Sequence, residues 1–368
     1  MAQRRILKPS IVANSETNDG DELSSFDSLP NDVVAKILKS LPAQFLHNSG
    51  RFVCKTWAEI LSLPCFKKSH LLHSQCGFLI QDGNGQCKVQ SIDARDWELK
   101  ETQLNFNFPG KIRGSSDGVL LINKSASVMD LYVANPVTMQ VLKLPTLPSI
   151  CKLCSHCNNI ARASSTGEIK VVSLGRDSNG LYNWYVLTVG KGMSWRKINM
   201  AYAKCDPESY LSYVQSLSAD GVIYWTNSSW INDPFVLAID VHEEIAYRLK
   251  VPIECHGQYW TLVQIGKEIC CMNCGKDVEM KVWKLKDLHR SEWVKVKSIR
   301  FSIESPLRKK ISVPLLWLDS DVLVISVYVQ VSNVVVAYHV KKDEYKVIKI
   351  GDVARHAIFL HTNSLIQF

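Results

Sequence analysis

No stretch of about eighteen consecutive apolar residues occurs in this 368-residue chain, which excludes a membrane-spanning helix. The opening residues, MAQRRILKPSIVANSETNDGDELSS, lack the apolar centre of a secretory leader, so residues 1–25 read as a polar, disordered tail. Without a leader, the twelve cysteines are expected as reduced thiols in the nucleus, the cytoplasm or both. The sequons at Asn123 and Asn227 are then chance matches. Neither a G-x-G-x-x-G loop nor a G-x-x-x-x-G-K-[ST] loop is present, so no glycine cradle for phosphates is foreseen. The ten histidines are scattered, and none stands at a readable spacing from a nucleophile. Beyond Leu72 no segment of useful length keeps a helical period.

What is present begins at Phe26–Leu71, FDSLPNDVVAKILKSLPAQFLHNSGRFVCKTWAEILSLPCFKKSHLL. Val34, Ile37, Leu38 and Leu41 follow the i, i+3, i+4, i+7 spacing of one helical face, and Val53, Trp57, Ile60 and Leu61 repeat it. Ser28 and Pro30 supply start signals for the first helix, and Pro42 stops it. About 45 residues lies near the lower limit for a free-standing core, so the apolar face is expected to dock on a partner. The doublets Leu29-Pro30 and Leu41-Pro42, with Val53-Cys54-Lys55-x-Trp57 and Pro64-x-Phe66, resemble an F-box. That resemblance implies docking on a Skp-type adaptor and, through it, on a cullin. It puts Leu29, Pro30, Val34, Ile37, Leu38, Leu41, Pro42, Val53, Trp57 and Ile60 forward as adaptor-binding residues. The polar run His47-Asn48-Ser49-Gly50 departs from the family pattern and predicts a second helix starting late, near Gly50–Arg51, with weaker docking.

Residues 75–368 change to short alternating strands broken by Gly, Asn, Asp and Ser. A unit recurs at Val89, Tyr132, Tyr185, Val236, Val282 and Val336, at intervals of 43 to 54 residues. The strands GFLIQ, GVLLIN, EIKVVSL, GVIYWTN, EICCMNC and VLVISVYV precede these anchors. About four strands per unit of 40–50 residues is the signature of a β-propeller, and six units predict six blades. The expected fold is therefore mainly β, a six-bladed β-propeller preceded by a small all-α module. The terminal residues 356–368 are expected as an extra strand pair that joins the first blade and removes its open edge. Gly114-Ser-Ser-Asp-Gly118-Val-Leu-Leu, Asn135-Pro136 with Leu144-Pro145, Trp195-Arg196-Lys197-Ile198 and Asp220-Gly221-Val-Ile-Tyr-Trp225 resemble plant F-box-associated, kelch-like domains. Leu237-Ala-Ile-Asp240 and Trp283-x-Leu285 followed by Glu292-Trp293 extend that resemblance.

Three clusters have the composition for chemistry or charge recognition. Gly114-x-Ser116-x-Gly118 fits a hydrolase nucleophile elbow, but a strand follows it where an elbow needs a helix. Cys151-x-x-Cys154-x-x-Cys157, with His156, has metal-like spacing. A fourth ligand is missing, because strand alternation sends Cys270 and Cys271 to opposite faces, so no metal or other cofactor is expected. Residues 281–310 hold ten Lys/Arg against Asp287, Glu292 and Glu304, close to the whole +8 excess. A solvated strand face explains this better than a nucleic-acid surface, so nucleic acid is an unlikely partner. Glu243-Glu244 and Asp343-Glu344 fall in hairpin turns, where solvation is their natural role. The variable loops are left to carry function, and Arg176, Tyr182, Trp184 and Trp230 stand out as substrate-binding side chains. The resemblance implies a non-catalytic substrate-recognition subunit of a Skp–cullin–F-box ubiquitin ligase, with an unknown substrate protein. The alternatives are a propeller scaffold for partners or nucleic acid without ligase activity, and a propeller hydrolase.

Overall fold

The computed structural model describes residues 29–368 except 75, 82–86, 93–98, 103–109, 125–129, 148–156, 177, 178, 180, 191, 204–212, 228–232, 257–259, 267, 274–278, 301–311, 319, 320, 330, 331 and 349–356. The expected tail, residues 1–25, lies outside the described residues.

Four short helices, α1 (Asn31–Lys39), α2 (Ala43–Asn48), α3 (Lys55–Ser62) and α4 (Pro64–His73), precede six sheets. The first sheet holds β1 (Cys76–Gln81), β2 (Cys87–Ile92) and β3 (Leu99–Thr102). The second holds β4 (Lys111–Ser116), β5 (Val119–Asn123), β6 (Leu131–Asn135) and β7 (Gln140–Lys143). The third holds β8 (Asn158–Arg162), β9 (Ile169–Arg176), β10 (Tyr182–Thr188) and β11 (Trp195–Lys197). Next in the chain, β12 (Asn199–Tyr202) leaves that sheet and lies parallel on the outer edge of the fourth. There it joins β13 (Tyr213–Ala219), β14 (Val222–Asn227), β15 (Phe235–Asp240) and β16 (Ile245–Lys250). The fifth has β17 (Trp260–Ile265), β18 (Glu268–Asn273), β19 (Glu279–Asp287) and β20 (Glu292–Arg300). The sixth has β21 (Ser312–Leu318), β22 (Val322–Val329), β23 (Ser332–His339) and β24 (Glu344–Ile348). The last strand, β25 (Ala357–Thr362), returns to the first sheet and pairs antiparallel with β1, Cys76 opposite Thr362 through Gln81 opposite Ala357.

The first strand of each sheet packs on the next: β25 on β4, β4 on β8, β8 on β13, β13 on β17, β17 on β21. Sheets set face to face in this way around their innermost strands make a β-propeller. The second strands of the second and fourth sheets are buried on both faces, so they read as continuous apolar runs: VLLIN is buried throughout, and so is VIYWTN. The strand joining the first sheet is a single one, β25. The residues after it are not its partner in a strand pair but an extended segment, Asn363–Phe368, that packs elsewhere.

Asp117-Gly118 and Asp220-Gly221 connect first to second strands with both residues at positive φ, 51° and 82°, then 46° and 79°. This is the two-residue turn that suits twisted hairpins. Each turn is seated on a serine of the preceding sheet: Ser364 Oγ donates to the Asp117 carbonyl at 2.6 Å, and Ser164 Oγ to that of Asp220 at 2.8 Å. A β-carbon at Gly118 would collide with Ser364. Ser116 thus ends a hairpin strand, and the geometry of a nucleophile elbow is absent there.

Glu244 departs from the solvated role foreseen for it. It sits at positive φ in the β15–β16 turn, where its carboxylate accepts from Lys170 Nζ at 2.9 Å and pairs with Arg196. Both cations belong to the third sheet, so the turn of the fourth sheet is bolted to its neighbour. Lys170 is almost fully buried and needs this counter-charge. Burial alone would raise the Glu244 pKa; the bonds and charges of Arg196 and Lys170 outweigh it and hold the pKa below the ordinary value. Stability from this group is therefore complete above the unfolded carboxylate pKa of about 4.3 and fades as pH falls through the lower folded value. Glu244→Gln should lower stability at pH 7 by about 2 kcal/mol. Its loss relative to wild type should shrink toward acid pH, as chemical denaturation at pH 7 and pH 3.5 would reveal.

Candidate interaction surfaces

The helical module is built around three prolines. Pro30 and Pro42 stand at the N-caps of α1 and α2, and Pro64 is the first residue of α4, where a missing N–H costs nothing. Pro42 therefore opens a helix as well as ending one. A helix that was not foreseen, α2, occupies residues 43–48; a 3-10 turn covers Gly50–Phe52, and the helix carrying Trp57, Ile60 and Leu61, α3, begins at Lys55, later still than the Gly50–Arg51 start expected for it. Gly50 is buried, and a β-carbon there would press on Leu46 Cδ2 at 3.2 Å. His70 Nε2 donates to the Leu41 carbonyl at 2.9 Å, and burial lowers the ring's pKa.

Val34, Leu38, Ala43, Leu46, Ile60, Leu61 and Phe66 form one cluster, completed by Val137 and Leu365 from the propeller. The apolar stripe is thus largely consumed inside. Of the residues put forward for adaptor contact, Val34, Leu38 and Ile60 are buried in this core. Leu29, Leu41 and Trp57 are half-buried against it, and Pro30, Ile37, Pro42 and Val53 are exposed. Phe45, Phe52 and Leu63 are exposed too and were missed. Phe52 and Leu63 lie at the breaks between helices, where a helical period carries no signal, and Phe45 lies in α2, which is too short to show one. Phe52 is 71% exposed, with the Arg51 guanidinium 4.6 Å above its ring.

Residues 363–368 strap the module to the propeller. Asn135 Nδ2 donates to the carbonyls of Ser364 and Ile366 at 3.1 and 2.7 Å. Leu365 enters the helical core, whereas Ile366 enters the core between the second and third sheets. Lys67 Nζ reaches Gln367 Oε1 at 2.6 Å. Val137 lies between β6 and β7, so the helices sit at the end of the sheets that carries the first-to-second and third-to-fourth turns. In an antiparallel meander the second-to-third loops emerge at the opposite end.

Three of the expected substrate residues, Arg176, Tyr182 and Trp184, stand on the strands that flank one such loop, β9 and β10. Trp230 lies outside the described residues. Arg176 ends β9 with its backbone opposite Tyr182, because the β9–β10 hairpin extends further than the sequence suggested. Trp184 is a correction: it is 1% exposed and packs on Trp225 with ring centroids 4.6 Å apart. Tyr182, Trp184 and Val186 alternate onto one strand face, which is the core face, and Tyr182 is only half-buried there. Leu181, beside them, is exposed.

Four of the seven described cations of residues 281–310 pair with carboxylates. Lys284 pairs with Glu268, Lys286 with Glu292, Arg290 with Asp287 and Arg300 with Glu279, while Lys297 lies over Trp317. Arg308, Lys309 and Lys310 are outside the described residues, as are Cys151 and Cys154. Cys157 is buried; Cys270 packs in the core toward the sixth sheet and Cys271 toward the fourth, and burial pushes the Cys270 thiol up to about 12. Among the described residues no three His, Cys, Asp or Glu side chains are grouped to hold a metal.

A four-helix module docked on one end of a propeller defines a two-module protein. Residues 26–69 match the F-box domain, and residues 64–368 match the F-box associated beta propeller domain. The chain belongs to this F-box associated β-propeller family. Its relatives include an F-box/kelch-repeat protein of Arabidopsis thaliana, 23% identical over 306 residues, covering 74% of this chain and 71% of that one. An Arabidopsis F-box protein is 24% identical over 305 residues, covering 73% and 78%, and the Arabidopsis F-box protein DOR is 25% identical over 301 residues, covering 74% of each.

Two outcomes follow from this packing. Trp184→Ala should cost about 3–5 kcal/mol in thermal or urea unfolding, the price of a cavity between two sheets, where a mere contact residue would leave stability unchanged. Leu365→Ser should free the helices from the propeller, seen as faster limited proteolysis near residues 72–76 with the propeller fragment intact.

Proposed function

We propose that this chain is the substrate-recognition subunit of a Skp–cullin–F-box ubiquitin ligase, acting in the nucleus or cytoplasm without chemistry of its own. Its helical module, residues 26–71, binds the Skp-type adaptor, and the propeller, residues 75–368, binds the protein to be ubiquitinated. The observation that carries this reading is the opposition of the two ends: the F-box packs on the turn end, and the second-to-third loops stand at the other. A substrate held there is kept clear of the adaptor. In this reading the six sheets are six blades of one ring, supported by the succession of innermost strands and by β25 filling the first sheet. Adaptor contact falls to the side chains the module leaves exposed, Pro30, Ile37, Pro42 and Val53 of the expected set together with Phe45 and Phe52. Matching of the basic stretch by carboxylates weighs against the nucleic-acid alternative.

Pulldown with recombinant Skp-type adaptor tests the proposal. Phe52→Asp with Val53→Asp places charge on exposed side chains, so the fold should survive, and adaptor recovery should fall more than about tenfold. Undiminished recovery in the double variant, or none with wild type, would remove the adaptor assignment.

A further inference from the structure

Arg113 is an anomaly that neither module explains. It lies on β4, an innermost strand, toward the end that carries the loops. The ladder jumps from Ile112 opposite Ile122 to Gly114 opposite Leu121, so Arg113 is the extra residue of a β-bulge. Its backbone is held on the upstream side by Gln81, which donates to the Gly110 carbonyl at 2.6 Å and accepts from the Ile112 N–H at 2.9 Å.

The side chain is half-buried and makes no hydrogen bond or ion pair with any described residue, and its Nε is fully shielded from solvent without an acceptor. Burial lowers its pKa. The four strands packed on or paired with β4 are NNIAR of β8, YVQSLSA of β13, AIFLHT of β25 and VLLIN of β5. None contains Asp or Glu, and β4 itself adds only Lys111. Two more buried donors lack partners at this end in the neighbouring sheets, Nδ2 of Asn158 and Nδ2 of Asn227. A half-buried guanidinium with no counter-charge among the described residues costs stability, and such a fork matches a carboxylate or phosphate in two parallel bonds.

We propose that Arg113 is an anion receptor at the loop end of the propeller, and that it takes an acidic group, carboxylate or phosphate, of the captured protein. The site rests on the substrate-binding reading of that end. The held bulge sets the guanidinium in place beforehand, so little ordering is required when the anion arrives.

Thermal unfolding of the full chain in phosphate, glutarate or chloride at equal ionic strength tests this. Wild type should be stabilised by phosphate or glutarate over chloride, and whichever acts more strongly identifies the kind of anion carried by the substrate. Arg113→Met should lose that response and, in chloride, melt about 2 °C or more above wild type, because an unmatched charge has been removed. Arg113→Gln gives the same comparison if the methionine variant does not fold. Equal responses of wild type and variant to both anions, or a variant less stable than wild type in chloride, would overturn the proposal. Adaptor pulldown should be unchanged by Arg113→Met. A wild type that fails to bind adaptor yet shows the Arg113-dependent anion response would sink the ligase reading and leave this site standing.

Discussion

Pairing of β25 with β1 is the interaction on which the rest of this molecule depends. Six backbone partners, from Cys76 with Thr362 to Gln81 with Ala357, bring residues almost three hundred positions apart into one sheet. The pairing supplies the first sheet with its innermost strand and so lets it pack on the second, through β25 and β4. It also fixes where the chain emerges afterwards. Ser364 can seat the Asp117-Gly118 turn, and Leu365 and Ile366 can enter two different cores, only because β25 ends where it does. The contacts are non-local, and loop-closure entropy opposes them until many other contacts have formed.

The helices and the loops have opposite physical demands, and the fold meets them at opposite ends. At the turn end, several connections are only two to four residues long and are held in place: Asp-Gly pairs at positive φ, Asn135 holding the strap, Glu244 between Lys170 and Arg196. At the loop end, the second strands of four sheets finish on a buried amide, Gln81, Asn123, Asn227 and Asn273. Gln81 holds the start of β4, Asn227 Oδ1 accepts from the Phe235 N–H at 2.9 Å, and Asn273 Nδ2 donates to the Glu254 carbonyl at 2.6 Å. These amides anchor the bases of loops whose sequences differ from sheet to sheet, so binding surface can change without disturbing the frame.

Much of the fold was legible because its signals are local and repeated. The strand spacing, the Asp-Gly turns, the Leu-Pro doublets and the Cys270/Cys271 alternation were readable from residues alone, and each depends on neighbours close in sequence. The site was less so. Trp184 was mistaken for a loop residue because the length of the β9–β10 hairpin is set by pairing across the sheet, and no local feature marks its end. Phe45 and Phe52 were missed because which side chains stay outside follows from how four short helices pack. Val34, Leu38 and Ile60 stood in the expected stripe, but which part of a stripe remains outside depends on Val137 and Leu365, residues about 100 and 330 positions away. Arg113 carried no sequence signal whatever: a bulge is visible only in the register.

One segment, residues 195–202, serves two sheets. Its first part is β11, the outer strand of the third sheet, and after Ile198 it becomes β12, the outer strand of the fourth, with Asn199 N–H bonded to the Glu244 carbonyl at 3.1 Å. A common hem of this kind leaves no seam along which either sheet can peel away alone. Slow amide exchange in β10 and β16 would then be governed by a single shared opening, making the third and fourth sheets one cooperative unit within a ring whose other sheets meet mainly through side chains.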